Sequence, residues 1–188
     1  MHGLVGDAPA LLGELFPGRF AFSSNRDSSD YLYTSESLIT LAGKKLSAKR
    51  NHINNFLRDF PGWRFEPMAD ENLDECRELN RKWCEMNDCG GDQSKIDEYK
   101  AVRLALRWFD ELELSGGLIR ANGEVIAFSV GERLTDDTYV VHIEKTFSEI
   151  QGAYAIINRE FAKHFAAGYR YVNREEDLGD RSASSIPS

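Results

Sequence analysis

Asn122-Gly123 constrains the fold of this chain more than any other pair of residues. It stands between Gly117-Leu118-Ile119-Arg120-Ala121 and a longer apolar run from Glu124 to Glu132. A two-residue hairpin loop needs positive φ at both positions, which Asn and Gly tolerate best, so the two runs must fold back as antiparallel strands. A second turn, Thr135-Asp136-Asp137, leads into Thr138 to Phe147 and makes a three-strand meander. Beyond Gly152, residues Ala153, Ile156, Ile157, Phe161 and Phe165 recur at helical spacing as far as Gly168, and Tyr169 to Asn173 reads as a further strand. A helix between the third and fourth strands is a crossover, so that last pair can run parallel.

Helices come before the meander. Ala8 to Phe16 predicts a short helix stopped by Pro17-Gly18, and Tyr31-Leu32-Tyr33 leads to Thr34 or Ser35 as an N-cap. Leu46, Ile53, Phe56, Leu57 and Phe60 place an amphipathic helix over 44–60, stopped by Pro61-Gly62, and Trp63 to Pro67 alternates like a strand. Leu73, Cys76, Leu79, Trp83 and Met86 predict a second helix, broken at Gly90-Gly91. A third runs from Asp97 to Leu114 and is ended by Gly116-Gly117. The expected class is a mixed α/β (α+β) domain, its antiparallel meander followed by a β-α-β step, with helices on both faces of the sheet.

Composition narrows the function classes. The chain has 188 residues, is 41% hydrophobic and carries a net charge of −8, which allows one domain with a sizeable core and disfavours general nucleic-acid binding. No apolar run reaches the ~20 residues that cross a bilayer, and no basic-then-apolar leader is visible, so a cytoplasmic protein is expected. Cys76, Cys84 and Cys89 contain no Cys-x-x-Cys pair, and the expectation is buried or half-buried free thiols and no metal.

Three groups of residues could carry chemistry. Between Ser37 and Arg58 lie five Lys or Arg side chains and no acidic one. On a helix Lys45, Lys49 and His52 share one flank, with Arg50 beside them. A phosphate, a diphosphate or a tRNA backbone would relieve their mutual repulsion; the alternative is a solvated basic face. Strand alternation puts His142 and Glu144 on one face and Val141 and Ile143 on the other. Glu144, or after it His142, could deprotonate an amine nucleophile, or Glu144 could pair with an arginine on the next strand. Asn173, Arg174, Glu175 and Glu176 lie just past the final strand, where ligands gather in open α/β sheets, and the carboxylates could hold an ammonium group.

The order of elements resembles the GNAT acyltransferase fold. Tyr31-Leu32-Tyr33, Leu41 to Leu46, Lys49 to Asn54, Val141 to Lys145, Gly152-Ala153-Tyr154 and Asn173 to Gly179 are similar to the DUF2156 family. That family is in turn similar to the catalytic C-terminal domain of phosphatidylglycerol lysyltransferase. The resemblance divides the chain into residues 1–30, a lead-in or the remnant of a preceding GNAT-like half, a GNAT-like domain over 31–179, and a disordered tail over 180–188. It implies transfer of an acyl or aminoacyl group from a CoA thioester or an aminoacyl-tRNA to an amine or hydroxyl acceptor, a small molecule or a lipid headgroup. Gly152 and Ala153 would open the helix that holds donor phosphates, although Glu149 and Tyr154 depart from the usual glycine turn. The basic helix would contact tRNA. The strands that close the sheet in relatives are missing after Gly179, which predicts an open edge covered by a partner or a second copy. The other reading is a non-catalytic GNAT-like binding protein with a degenerate donor site.

Overall fold

The computed structural model describes residues 8–22 and 30–175. Its elements are α1 (Ala8–Leu15), β1 (Tyr31–Thr34), α2 (Ser35–Thr40), α3 (Ser47–Asp59), β2 (Arg64–Pro67), α4 (Asp70–Met86), α5 (Gln93–Arg107), β3 (Ser115–Ala121), β4 (Glu124–Arg133), β5 (Thr138–Thr146), α6 (Ala153–Phe161) and β6 (Tyr171–Arg174). The strands form one mixed sheet in the order β1-β6-β5-β4-β3-β2, and every neighbouring pair is antiparallel except β5–β6. Asn122 and Gly123 both take positive φ, 52° and 86°, and make the tight turn between β3 and β4.

The period-2 pattern of the meander divides its side chains between two cores. Leu118 pairs with Phe128, and both pack with Leu73, Leu79 and Leu106 of α4 and α5. The next residues, Ile119 and Ala127, are also opposite each other and pack with Ile53 and Phe56 of α3 and Ile156 and Ile157 of α6. Helices therefore cover both faces. Burying each such side chain contributes roughly 1.5–3 kcal/mol. On the α6 side, Leu38 of α2 extends the packing to Tyr139, Phe161 and Val172.

Local signals explain the helix starts. The Thr34 hydroxyl accepts the Ser37 N–H at 3.3 Å and opens α2. The Asp92 carboxylate accepts from the N–H groups of Ser94 and Lys95 at 2.9 and 3.4 Å, and so begins α5 at Gln93, ahead of the predicted Asp97. The same helix ends at Arg107, short of the predicted Leu114, and Gly116-Gly117 belongs to β3 instead of stopping a helix. Gly117 pairs with Pro67, and the Gly116 carbonyl accepts the Met68 N–H at 2.8 Å, so ladder pairing overrides the break that two glycines suggest.

Two further expectations are corrected. β6 is not the edge: β1 pairs with it antiparallel, Tyr31 opposite Arg174 and Thr34 opposite Tyr171, so a strand from the N-terminal side of the domain covers β6 and becomes the edge itself. Nor are all three cysteines free. Asp88, at φ 49°, reverses the chain just after α4 and brings Cys89 back to Cys84, with Cα atoms 5.2 Å apart in a disulfide. Cys76 is free and buried, and desolvation pushes its thiol up to about 12. The tail at 180–188 and the parts of 1–30 over 1–7 and 23–29 lie outside the described residues.

Candidate functional site

β5 and β6 pair only from Thr138 to Val141 and from Tyr171 to Arg174. Past Val141 β5 runs on to Thr146 while β6 ends at Arg174, so the far half of β5 has no β6 partner among the described residues, and the functional candidates cluster around this gap. A β-bulge stands at the same place. Val130 faces Ile143 and Gly131 faces Val141, which leaves His142 as an extra residue in β5. The bulge breaks the alternation that put His142 and Glu144 on one face and Ile143 on the other. His142 and Ile143 both line a cavity of about 430 Å³ beside α5, while Glu144 bonds Asn158 of α6.

On the α6 side Glu144 is the hub. Its Oε1 accepts from Asn158 Nδ2 at 2.9 Å and its Oε2 from the Arg174 guanidinium. The ion pair with an arginine on the neighbouring strand is thus formed. Lys49 of α3 reaches the same charges. Burial lowers the affinity of Lys49 for its proton, repulsion from Arg174 lowers it further, and Glu144 restores part of it. Burial acts on Arg174 in the same direction, but Glu144 and the nearby Tyr33 and Tyr154 outweigh it and hold Arg174 above its ordinary value. Two cations thus surround one carboxylate in a half-buried recess.

On the α5 side, Glu132, Glu175 and Glu98 add carboxylates to a cavity whose walls are mainly apolar, and Glu144 reaches it through the gap. His142 bridges two of these carboxylates: its Nε2 lies 2.9 Å from Glu132 Oε1 and its Nδ1 3.1 Å from Glu175 Oε2. Burial works against a charged ring, yet Glu175 and Glu132 outweigh it and raise the imidazole above its ordinary value. A carboxylate beside each nitrogen favours the protonated ring.

The remaining residues expected at the site are spread more widely. Lys45 is exposed on the 3-10 turn Lys44–Leu46, and His52 is exposed on α3. Arg50 donates to the carbonyls of Leu41 and Gly43, the latter at 2.7 Å, and so fastens the loop before α3. Gly152 has φ 86°, and a Cβ built there would lie 2.4 Å from the His52 carbonyl oxygen, so this glycine allows α6 to start against the backbone of α3. The Ala153 N–H is bonded to the Ile150 carbonyl at 3.1 Å. Asn173 donates to Asp30 at 2.7 Å. Glu176 lies outside the described residues, and among those described no group of His, Cys, Asp or Glu could hold a metal ion.

The sequence reading missed Lys145. It is 2% exposed, pairs with Glu98 of α5, and its ammonium lies 3.2 Å from the centre of the Trp83 ring on α4. Burial pulls its proton affinity down, and Glu98 offsets part of the loss. The signal was present: Lys145 stands two residues from Ile143 and two from Phe147, on the inward-facing side of an apolar strand. Its partners come from elements remote in sequence.

A meander followed by a parallel crossover, with β6 paired only to the first half of β5, is the GNAT-like arrangement. The chain belongs to the phosphatidylglycerol lysyltransferase, C-terminal, family, whose model matches residues 8–186. It is similar to a conserved protein of unknown function from Bacteroides thetaiotaomicron, with 41% identity, a TM-score of 0.84, and coverage of 93% of this chain and 59% of that one. The DUF2156 C-terminal domain solved from Agrobacterium fabrum shares the fold at 16% identity with a TM-score of 0.56, over 80% of this chain and 46% of its own. An uncharacterized protein of Mycoplasmoides gallisepticum is 22% identical over 163 residues, 85% of this chain. The chain spans about half the length of that curated relative, 51%. No helix among the described residues is long and apolar enough to cross a membrane.

Proposed function

We propose that this domain transfers an aminoacyl or acyl group to an amine or hydroxyl acceptor at the gap between β5 and β6. The observation that carries the reading is the position of Glu144, which bonds Arg174 and Asn158 on the α6 side and lines the acidic cavity on the α5 side. A donor with phosphates suits Lys49 and Arg174, with Lys45 farther out on the surface. An ammonium group suits the cavity, where the carboxylates of Glu132 and Glu175 flank the one imidazole between them. The acceptor nitrogen or oxygen attacks the donor's carbonyl carbon, the bond to the tRNA ribose oxygen or the CoA sulfur breaks, and the acceptor's proton passes to Glu144 and then to the leaving group.

Aminoacyl-tRNA is the donor we favour over a CoA thioester. Gly152 packs against α3 and the Ala153 N–H already has a carbonyl partner, so these two residues offer no free backbone to a CoA pyrophosphate. The acceptor is a lipid-headgroup hydroxyl or a small amine, met on the cytoplasmic side where charged tRNA is found. The engaged state of Glu144 favours the second reading, a GNAT-like binding protein without catalysis.

Thermal unfolding with aminoacyl-tRNA, uncharged tRNA, acetyl-CoA and CoA separates these readings. A ligand at a hundred times its Kd adds about 2.7 kcal/mol, which moves the Tm of a chain this size by roughly 5–11 °C. A shift with charged tRNA that Lys49→Glu abolishes supports aminoacyl transfer, and a shift with acetyl-CoA alone moves the donor to CoA. With no shift from any of them, the donor site is withdrawn and the binding-protein reading stands.

A further inference from the structure

The disulfide lies at the corner from which one wall of the acidic cavity is built. Cys84 sits in the last turn of α4, and Cys89 begins the 3-10 turn that leads to α5. Trp83, the residue before Cys84, covers the Lys145 ammonium, and Glu98, two turns into α5, pairs with it. Glu98, Ala101, Val102 and Ala105 of α5 line the cavity. Hydrogen bonds also hold the corner: Asn87 Nδ2 donates to the Trp83 carbonyl at 2.8 Å, Lys95 to the Asn87 carbonyl at 2.9 Å, and the Asp92 N–H to the Cys89 carbonyl at 3.1 Å. The Cys84–Cys89 bond is the covalent one among them.

Its accessibility is uneven. Cys89 is 4% exposed, whereas Cys84 is half-buried and can be approached from solvent. The bond spans only five positions, so it removes little freedom from the unfolded chain. Its main effect is local, on the placement of Trp83 and the start of α5.

We propose that Cys84 and Cys89 form a reversible thiol–disulfide site, exchanging with low-molecular-weight thiols of the glutathione class, and that its state sets how firmly the α4–α5 corner holds the cavity wall. In reduction, an external thiolate attacks the Cys84 sulfur, the bond between the two protein sulfurs breaks, and Cys89 leaves as a thiolate that takes up a proton. A second external thiolate attacks the sulfur of the attached small molecule. It departs as a symmetric disulfide and frees the Cys84 thiolate, which is then protonated. One protein disulfide and two small thiols become one protein dithiol and one small disulfide, and oxidation runs the same steps backwards. Cys76 takes no part, because it is fully buried and far from its thiolate form.

The test uses the full chain poised in mixtures of reduced and oxidised glutathione. Samples are acid-quenched, unfolded and alkylated, and parallel samples are followed by hydrogen exchange. At oxidising poise one cysteine should be alkylated, at reducing poise three, with the two forms interconverting. Reduction should raise exchange over residues 84–98 several-fold and leave the β3–β4 hairpin unchanged. The variant Cys84→Ser should exchange like the reduced protein at every poise. Three alkylated cysteines at every poise, or one even under full reduction, would overturn the reversible site. Interconversion without any change over 84–98 would overturn its control of the corner. Neither readout depends on a donor or an acceptor, so the outcome is separate from that of the proposed transferase.

Discussion

Glu144 and Arg174 meet just past the last paired residues of β5 and β6, where β6 ends and β5 runs on. Both side chains are largely withdrawn from water, 10% and 25% exposed, and Asn158 and Lys49 stand beside them. A charge left alone here cannot be solvated, and this gives the pair an asymmetric response to mutation. Arg174→Leu should destabilise the domain by about 1–3 kcal/mol, because it leaves the carboxylate to Asn158 and Lys49, whereas Arg174→Leu combined with Glu144→Gln should recover most of the loss. Urea unfolding of the two variants checks this; equal losses would mean that the pair makes no coupled contribution.

The imidazole of His142 is raised above its usual value of about 6.5 by Glu175 and Glu132 against the opposing effect of burial. A raised folded value means that the native state binds the proton more tightly than the unfolded chain. The stabilisation is therefore complete below about 6.5 and is lost as pH climbs through the higher folded value. NMR titration of the ring should give a midpoint above that of an unfolded peptide, and His142→Gln should flatten the stability profile in that window. A midpoint at or below the peptide's would mean that the two carboxylates do not outweigh burial.

Lys145 should behave in the opposite sense. Burial lowers its folded value below 10.5, so the native state gains stability as pH rises towards 10.5 and loses it as pH falls through the lowered value. Lys145→Met should remove this alkaline rise and change stability at pH 7 by less than about 1.5 kcal/mol, since the thioether fills the same space under Trp83. Glu98→Ala, which leaves the ammonium buried with the ring alone, should cost more than Lys145→Met does. Chemical unfolding from pH 7 to 10 separates the three proteins.

Gly152→Ala should destabilise the domain by about 2–4 kcal/mol, through a positive φ and a Cβ driven against the His52 carbonyl. Gly168, where a Cβ meets nothing within 4 Å, provides the control, and Gly168→Ala should leave the midpoint nearly unchanged. Similar midpoints for the two variants would show that α3 can move aside.

What could be read from the sequence was local. The Asn122-Gly123 turn, the Thr34 cap and the helical stripe of α6 depend on residues a few positions apart, and each appears where the pattern places it. The Gly116-Gly117 pair misled because a glycine break and a glycine-containing strand look alike until β2 supplies the partner. His142 misled because alternation assumes an unbroken ladder, and nothing nearby in sequence announces the bulge. The Cys84–Cys89 pairing turns on the left-handed backbone of Asp88, which no spacing rule reveals. For Glu144 the two readings, base or ion pair, were both visible; seeing that the pair forms needed the registration of β6 on β5, which brings Arg174 to it.

The partnership of β1 with β6 has a bearing on how the protein is made. Asp30, just before β1, bonds Asn173 of β6 across 143 positions of sequence. A growing chain exposes the first strand long before its neighbour has been synthesised, and closing so large a loop is a late and slow event in folding. The meander and its helices can condense early, on contacts closer in sequence. Arg174, on a strand made after the meander, then brings its charge to a carboxylate already in place, so on the ribosome the Glu144–Arg174 pair forms only after the strands around it.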